Sequence, residues 1–167
     1  DPLAALPLFS RLGATIASVG IGIARRAIDE LAALAGAKVP MATPGLLRER
    51  AGVQIDVARA RGLLDGARAH VTSTAREVFA RAKAGAAPTV DDQVRLRLAY
   101  VTAAEQFARA VDLVRNAAGM NAIALGSPLE RCWRDAHAVT QHVAISPSHL
   151  ERLGRITLGL DAGPGPI

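Results

Sequence analysis

Apolar side chains recur every three or four residues along most of this sequence, and this spacing restricts the fold more than any other feature. Between residues 8 and 37 the series runs Leu12, Ile16, Val19, Ile23, Ala27, Leu31 and Leu34. Residues spaced in this way lie on one face of an α-helix. No stretch alternates apolar and polar residues for long enough to form a sheet. The pattern therefore predicts an all-α protein.

Local start and stop signals divide the chain into five helices. Thr89, with Asp92 three residues later, is a capping-box pattern, and Ser127 followed by Pro128 is typical of a helix start. Short loops favour antiparallel packing of neighbouring helices. The prediction is an antiparallel bundle of three long and two shorter helices. They span residues 8–37, 47–83, 89–119, 127–142 and 146–160.

Composition supports a closely packed single domain. Half of the 167 residues are hydrophobic, with Ala, Leu and Val dominant, and only 3% are aromatic. Small side chains let helix backbones approach closely, and this length suits one domain. We therefore expect one helical domain over residues 1–167, with a frayed tail at residues 161–167. Because the chain opens with Asp-Pro instead of Met, we expect a piece of a longer protein.

Charge and cysteine content argue against several classes of partner. The net charge is +5, but acidic residues are interleaved with the arginines, and aromatic side chains that would stack on bases are scarce. We therefore expect no nucleic-acid partner, and the arginines are available to hold phosphate. No uncharged apolar run reaches about 18 residues, so no membrane span is expected. A lone cysteine, Cys132, fits a reducing compartment, and we expect a cytoplasmic protein.

The rare residue types gather in residues 127–149, which hold three of the four histidines, the only tryptophan and the only cysteine. His137 and His142 are five residues apart, about 140° around a helix, so they do not form a helical metal pair, and no metal site is predicted. Arg131 and Asp135 have the spacing of a helix ion pair. Residue spacing alone leaves His142 open to two interpretations, a capping histidine at a helix end or a catalytic group.

The segment from Gly119 to Asp135 resembles the C-terminal helical domain of the acyl-CoA dehydrogenase superfamily. Those proteins carry a Gly-rich loop, then a Pro-x-Glu-Arg helix start and an Arg-Asp pair. Here the helix start reads Pro128-Leu129-Glu130-Arg131, and the pair is Arg134-Asp135. The family's Phe-Gly-Gly loop is replaced by Ala118-Gly119-Met120.

The segment after Arg134-Asp135 departs from the dehydrogenases. Their catalytic Glu, in a Tyr-Glu-Gly-Thr segment, would fall at Val143, and a valine cannot accept a proton. A histidine, His142, stands one position earlier. The pattern Arg-Asp-x-His-x-x-x-x-His is similar to the two-component flavin-dependent monooxygenases that share this fold. These enzymes oxygenate aromatic and related small molecules.

The resemblance implies a specific chemistry. Reduced flavin, usually FMN with FAD as the other option, would come from a separate flavin reductase. His142 would lie beside flavin and substrate and relay protons, with His137 as a second catalytic candidate. Gly119, Arg131 and Arg134 are candidates for holding the flavin.

The resemblance also has consequences for assembly. An N-terminal helical domain and a middle β-domain would complete the enzyme, so we expect this chain alone to lack turnover. This domain also builds the superfamily's oligomer, so a homodimer or homotetramer is expected.

Two other functions stay open from the sequence. One is an acyl-CoA dehydrogenase whose base lies elsewhere, with Glu105, in the middle of the third helix, as the candidate. The other is a helical interaction module without enzymatic activity, which would bind nucleic acid through its arginines.

Overall fold

The computed structural model describes residues 3–41 and 44–164, and the fold is five α-helices linked by short turns. Within these ranges no residue lies in a β-strand. The prediction of an all-α bundle with three long and two shorter helices is confirmed. The helices are α1 Leu8–Ala37, α2 Ala51–Lys83, α3 Val90–Ala118, α4 Pro128–Thr140 and α5 Leu150–Thr157. Short 3₁₀ turns cover Leu47–Glu49, Gly119–Ala122 and Pro147–His149.

Side-chain caps begin α3 and α4 where the sequence predicts them. Thr89 Oγ1 accepts from the Asp92 backbone N–H at 3.1 Å, and Asp92 Oδ2 accepts from the Thr89 N–H at 2.9 Å. Asp92 is buried and also pairs with Arg81 at the end of α2. Ser127 Oγ accepts from the Leu129 N–H at 3.3 Å, with Pro128 as the first residue of α4. These caps satisfy backbone donors that the first helical turn leaves unpaired.

Helix α3 is central to the bundle and packs against α1, α2 and α4. Its buried face combines small residues with two large rings, Tyr100 and Phe107. Gly13 and Gly20 of α1 face those rings so closely that an added Cβ would overlap them. The close approach explains the glycines, which cost helix stability but leave room for the aromatic side chains.

The helix ends differ from the prediction in three places. The segment 47–49 forms a separate 3₁₀ turn before α2, because the extended backbone of Arg50 interrupts the helix. Helix α4 ends at Thr140, two residues before the predicted end, so His142 lies in a turn. The prediction for α5 was too long at both ends, because a 3₁₀ turn starts it at Pro147 and the helix ends at Thr157.

The residues after α5 turn back along it. Arg152 Nε donates to the Ala162 carbonyl at 3.0 Å, and Arg155 Nε donates to the Asp161 carbonyl at 2.8 Å. Residues 161–164 contain no helix. Residues 165–167, the end of the predicted frayed tail, lie outside the described ranges. No helix in the described part of the chain is both long enough and apolar enough to cross a bilayer.

Candidate functional site at the turn after α4

The turn after α4 is anchored in the core and displays His142. Ala144 and Ile145 are fully buried, and backbone hydrogen bonds from the His142 N–H to the Val139 carbonyl and from the Ile145 N–H to the His142 carbonyl tighten the chain. The Ala144 N–H donates to His142 Nδ1 at 3.1 Å. Because Nδ1 accepts, a neutral His142 carries its proton on Nε2. No described residue hydrogen-bonds to that Nε2, so it remains available to a ligand.

Val143 occupies the position where the dehydrogenase resemblance requires a base. Its side chain is 60% exposed and lines an open cavity of about 580 Å³. An isopropyl group neither accepts nor donates a proton, so this position supplies an apolar wall only. The adjacent His142 is the proton-active side chain at this point of the turn.

Arg97 of α3 contacts the same turn. Its side chain is buried, at 2% exposure, and its Nη1 donates to the Ala144 carbonyl at 3.0 Å. Its guanidinium also lies 5.6 Å from the Phe9 ring centroid. Burial lowers the pKa of Arg97, nearby Tyr100 opposes this change, and Arg152 adds to it. Burial also raises the pKa of Tyr100 to about 12, although the nearby Arg97 partly opposes this shift.

His149 links the two sides of the turn. Its Nε2 lies 2.6 Å from the Val143 carbonyl oxygen and 3.1 Å from Arg97 Nη1. One ring nitrogen either donates to the carbonyl or accepts from the guanidinium, but not both. The position of the ring proton therefore decides which partner His149 holds. The two partner residues, Val143 and Arg97, line the same cavity as Phe9.

His137 lies in a separate cluster between α3 and α4. Its Nε2 donates to Asp112 Oδ1 at 2.9 Å, and Trp133 Nε1 donates to the same oxygen at 2.9 Å. The two rings stack at a tilt with centroids 4.8 Å apart, and the Arg115 guanidinium covers the indole at 4.2 Å. These contacts join the two helices and occupy the His137 Nε2.

The predicted flavin-holding residues lie on α4 and at the end of α3. Arg131 pairs with Asp135 at 3.4 Å, and Arg134 pairs with Glu130 at 3.5 Å, with both arginine side chains exposed. Gly119 ends α3 with φ of 61°, a conformation that favours glycine. None of these residues lines the cavity beside Val143.

Other candidates from the sequence lie away from the turn. Glu105, the alternative dehydrogenase base, is exposed on α3 and does not line the cavity. Cys132 is buried, and burial raises the pKa of its thiol, with smaller effects from nearby charges. Among residues 3–41 and 44–164, no three His, Cys, Asp or Glu side chains are grouped as metal ligands.

Arg97 and the bonding role of His149 were missed by sequence reasoning. Periodicity held a signal for Arg97, because the residues three and four positions on, Tyr100 and Val101, belong to the apolar face. An arginine on that face predicts a buried cation. Arg97 and Ala144 are 47 positions apart, so no local sequence pattern reveals that they are partners.

Comparison with known proteins agrees with this architecture. The profile of the family described as "Acyl-CoA dehydrogenase, C-terminal domain" matches residues 14–147. The chain therefore belongs to the acyl-CoA dehydrogenase C-terminal domain family, and the predicted resemblance is confirmed at that level.

Relatives within the family are flavin-dependent oxygenases by name. The chain is 32% identical to the indole-3-acetate monooxygenase of Pseudomonas putida over 99% of this chain and 42% of that protein. It is 30% identical to the oxygenase component of the FADH₂-dependent resorcinol hydroxylase of Rhizobium sp., over 93% of this chain and 40% of that protein. The crystal structure of 3-HSA hydroxylase from Rhodococcus sp. superimposes with a TM-score of 0.88 at 26% identity, over 98% of this chain and 43% of that one. The chain thus spans about two fifths of these relatives.

Proposed function

We propose that residues 1–167 are the C-terminal helical domain of a two-component flavin-dependent monooxygenase. The whole protein would use reduced flavin and dioxygen to oxygenate an aromatic small molecule. The observation that carries the proposal is His142, whose Nε2 is open to a ligand, immediately before Val143 at the position of the dehydrogenase base. The names of the relatives support oxygenation over acyl-CoA oxidation.

The residues at the turn fit a flavin and an aromatic substrate. Val143 and Phe9 give apolar walls to an open cavity. His142 precedes Val143 and does not itself line this cavity, but its Nε2 has no hydrogen-bond partner among the described residues. Reduced flavin, when bound, supplies the electrons that activate dioxygen. Gly119, Arg131 and Arg134 are proposed to hold its phosphate end. The protein's contribution is to orient the reactants, exclude water and control protons.

His142 would control the proton. The Ala144 N–H keeps Nδ1 as an acceptor and sets the orientation of the ring, so the mobile proton is held at Nε2. The neutral ring donates a hydrogen bond from its Nε2–H to an oxygen of the reactants, and it can transfer that proton as an acid only after Nδ1 is protonated and the bond from the Ala144 N–H is broken. The buried Ala144 and Ile145 keep the backbone of this turn in place during the transfer.

The remaining features of the whole protein follow from the same proposal. A separate reductase would supply the flavin, because one relative is named as an oxygenase component. FMN is our predicted flavin, although that relative is FADH₂-dependent, so both flavins should be assayed. A cytoplasmic homodimer or homotetramer is proposed.

The test uses the whole protein that carries this domain. A flavin reductase with NADH supplies reduced FMN or FAD under air, and hydroxylated product from indole-3-acetate and resorcinol is measured by chromatography. Flavin-dependent incorporation of oxygen from ¹⁸O₂ into either arene is expected. Oxidation of acyl-CoA substrates with an artificial electron acceptor, without oxygenated product, would overturn the proposal.

A further inference from the structure

Arg97 is a buried cation without a counter-ion in the described part of the chain. Its side chain is 2% exposed, and its polar contacts are the Ala144 carbonyl and His149 Nε2, both through Nη1. None of the ion pairs among residues 3–41 and 44–164 includes Arg97. An uncompensated buried charge is strongly unfavourable, so proteins rarely keep one that no anion neutralises.

The free part of the guanidinium faces the cavity. Arg97 lines the space of about 580 Å³. Its Nε and Nη2 make no hydrogen bond with a described residue, and neither is a fully buried atom. Arg152 and Arg155 line the same cavity, while Glu151 is the one acidic residue among its described lining residues. Arg152 lies close enough for its charge to lower the pKa of Arg97. The buried charge of Arg97, which no ion pair in the described part of the chain compensates, makes the cavity attractive to an anion.

The shape of the site favours an anion attached to an aromatic ring. A guanidinium presents paired N–H donors that match the two oxygens of a carboxylate. Phe9 lies against the Arg97 guanidinium, and Val143 adds a second apolar wall. The volume lies within the range of small-molecule sites, which are roughly 300–1,000 Å³.

We propose that this cavity binds the carboxylate of an aromatic acid, with Arg97 as its anchor. The inference rests on the proposed function, since it names the substrate class for a cavity lined by Val143, which belongs to the same turn as His142. The Nε atoms of Arg152 and Arg155 already bond the carbonyls of Ala162 and Asp161. Arg97 is therefore the one buried guanidinium that would recognise the anion. A single guanidinium suits a singly charged carboxylate better than a phosphate.

The test measures binding without flavin or turnover. Isothermal titration calorimetry on the whole protein compares indole-3-acetate, phenylacetate and benzoate with their neutral amides. We expect at least one acid to bind about ten- to a hundredfold more tightly than its amide, as a hydrogen-bonded charge requires. Arg97→Met should remove that preference. Arg97→Lys should keep part of it, because the charge remains without the planar fork.

The control is Arg59→Met, which removes the same charge from an exposed position on α2. It should leave the preference for the acid intact. If Arg97→Met fails to fold, the comparison of acids with amides on the unmodified protein still tests the proposed carboxylate site. Equal affinity for every acid and its amide overturns the proposal.

Two further outcomes separate this proposal from its neighbours. Loss of affinity for FMN or inorganic phosphate in Arg97→Met, with the aromatic acids unaffected, would assign the anion to the flavin and overturn the carboxylate site. Binding of aromatic acids that depends on Arg97, without any oxygenated product, would support the site while the proposed monooxygenase function fails. Oxygenation of neutral arenes only, without preference for acids, would support the monooxygenase function and overturn the carboxylate site.

Discussion

His137 and His142 are five residues apart, yet their environments differ in kind. His137 lies on α4, and its Nε2 is bonded to the Asp112 carboxylate next to the Trp133 ring. His142 lies in the turn, its Nδ1 is bonded to the Ala144 backbone N–H, and its Nε2 has no partner among the described residues. The first histidine joins two helices, whereas the second is oriented by the backbone and left open to a ligand. A ring nitrogen's existing partner therefore separates structural from functional candidates better than the residue type does.

The same contrast applies to the surroundings of each ring. Side chains of α3 and α4 hold the His137 cluster, so packing and side-chain bonds maintain it. In the second region, Arg97 contacts the backbone carbonyl of Ala144 and His149 contacts that of Val143, so backbone groups hold the turn. Changes in the first region should alter stability, and changes in the second should alter chemistry and binding.

Replacing each histidine with alanine tests the contrast most directly. His142→Ala in the whole protein should lower product formation by about 10²–10⁴-fold, the range for loss of a general acid or base. Consumed oxygen should then appear as hydrogen peroxide. His137→Ala, the matched control, should keep a rate close to that of the unmodified protein. Product and peroxide are quantified in one assay, and equal losses from both variants would contradict the comparison and favour His137 as a catalytic residue.

Two glycines of α1 test the packed helices. Gly20→Ala should destabilise the fold by about 1–3 kcal/mol, because its Cβ would overlap the Phe107 ring. Gly22→Ala meets no atom within 4 Å and should stabilise α1 by about 0.5–1 kcal/mol. Chemical denaturation followed by circular dichroism measures both changes. A Gly20→Ala variant as stable as Gly22→Ala would show that the aromatic ring moves freely, against the close packing described above.

Removing the shared carboxylate tests the His137 cluster. Asp112→Ala should cost about 1–2 kcal/mol of unfolding free energy, since it leaves two side-chain donors without their acceptor. Asp65→Ala removes only an exposed pair with Arg61 and should cost less than about 0.5 kcal/mol. Neither change should alter the affinity for aromatic acids. Weakened ligand binding in Asp112→Ala alone would connect this cluster to the functional site.

The smallest expected stability change concerns the arginines of α4. Arg131→Gln and Arg134→Gln each break exposed ion pairs and should change unfolding free energy by less than about 0.5 kcal/mol. If these side chains hold the flavin phosphate, the double variant should bind FMN more weakly in the whole protein. Arg61→Gln, which loses a similar pair on α2, is the control. Unchanged quenching of flavin fluorescence on titration would remove both arginines from the flavin site.

Much of the helical framework was predictable, because its signals are local. The apolar spacing located five helices, and Thr89 and Ser127 marked two starts that the structure confirms by side-chain hydrogen bonds. The helix ends were less accurate, since Thr140 ends α4 through a turn anchored by the buried Ala144 and Ile145. His142 was identified by resemblance, while its free Nε2 became evident only from the bond at Nδ1. Its catalytic role remains a prediction.

The sequence by itself determined which segments are helical and which faces they bury, because helix periodicity and capping depend on residues within a few positions of each other. Only the tertiary structure decided that Arg97 of α3 meets the carbonyl of Ala144 and the ring of His149 beside a cavity. Those contacts join residues about 50 positions apart, and the packing of α3 against the turn brings them together. The fold is thus encoded locally, whereas the charge of the site is a property of the packed bundle.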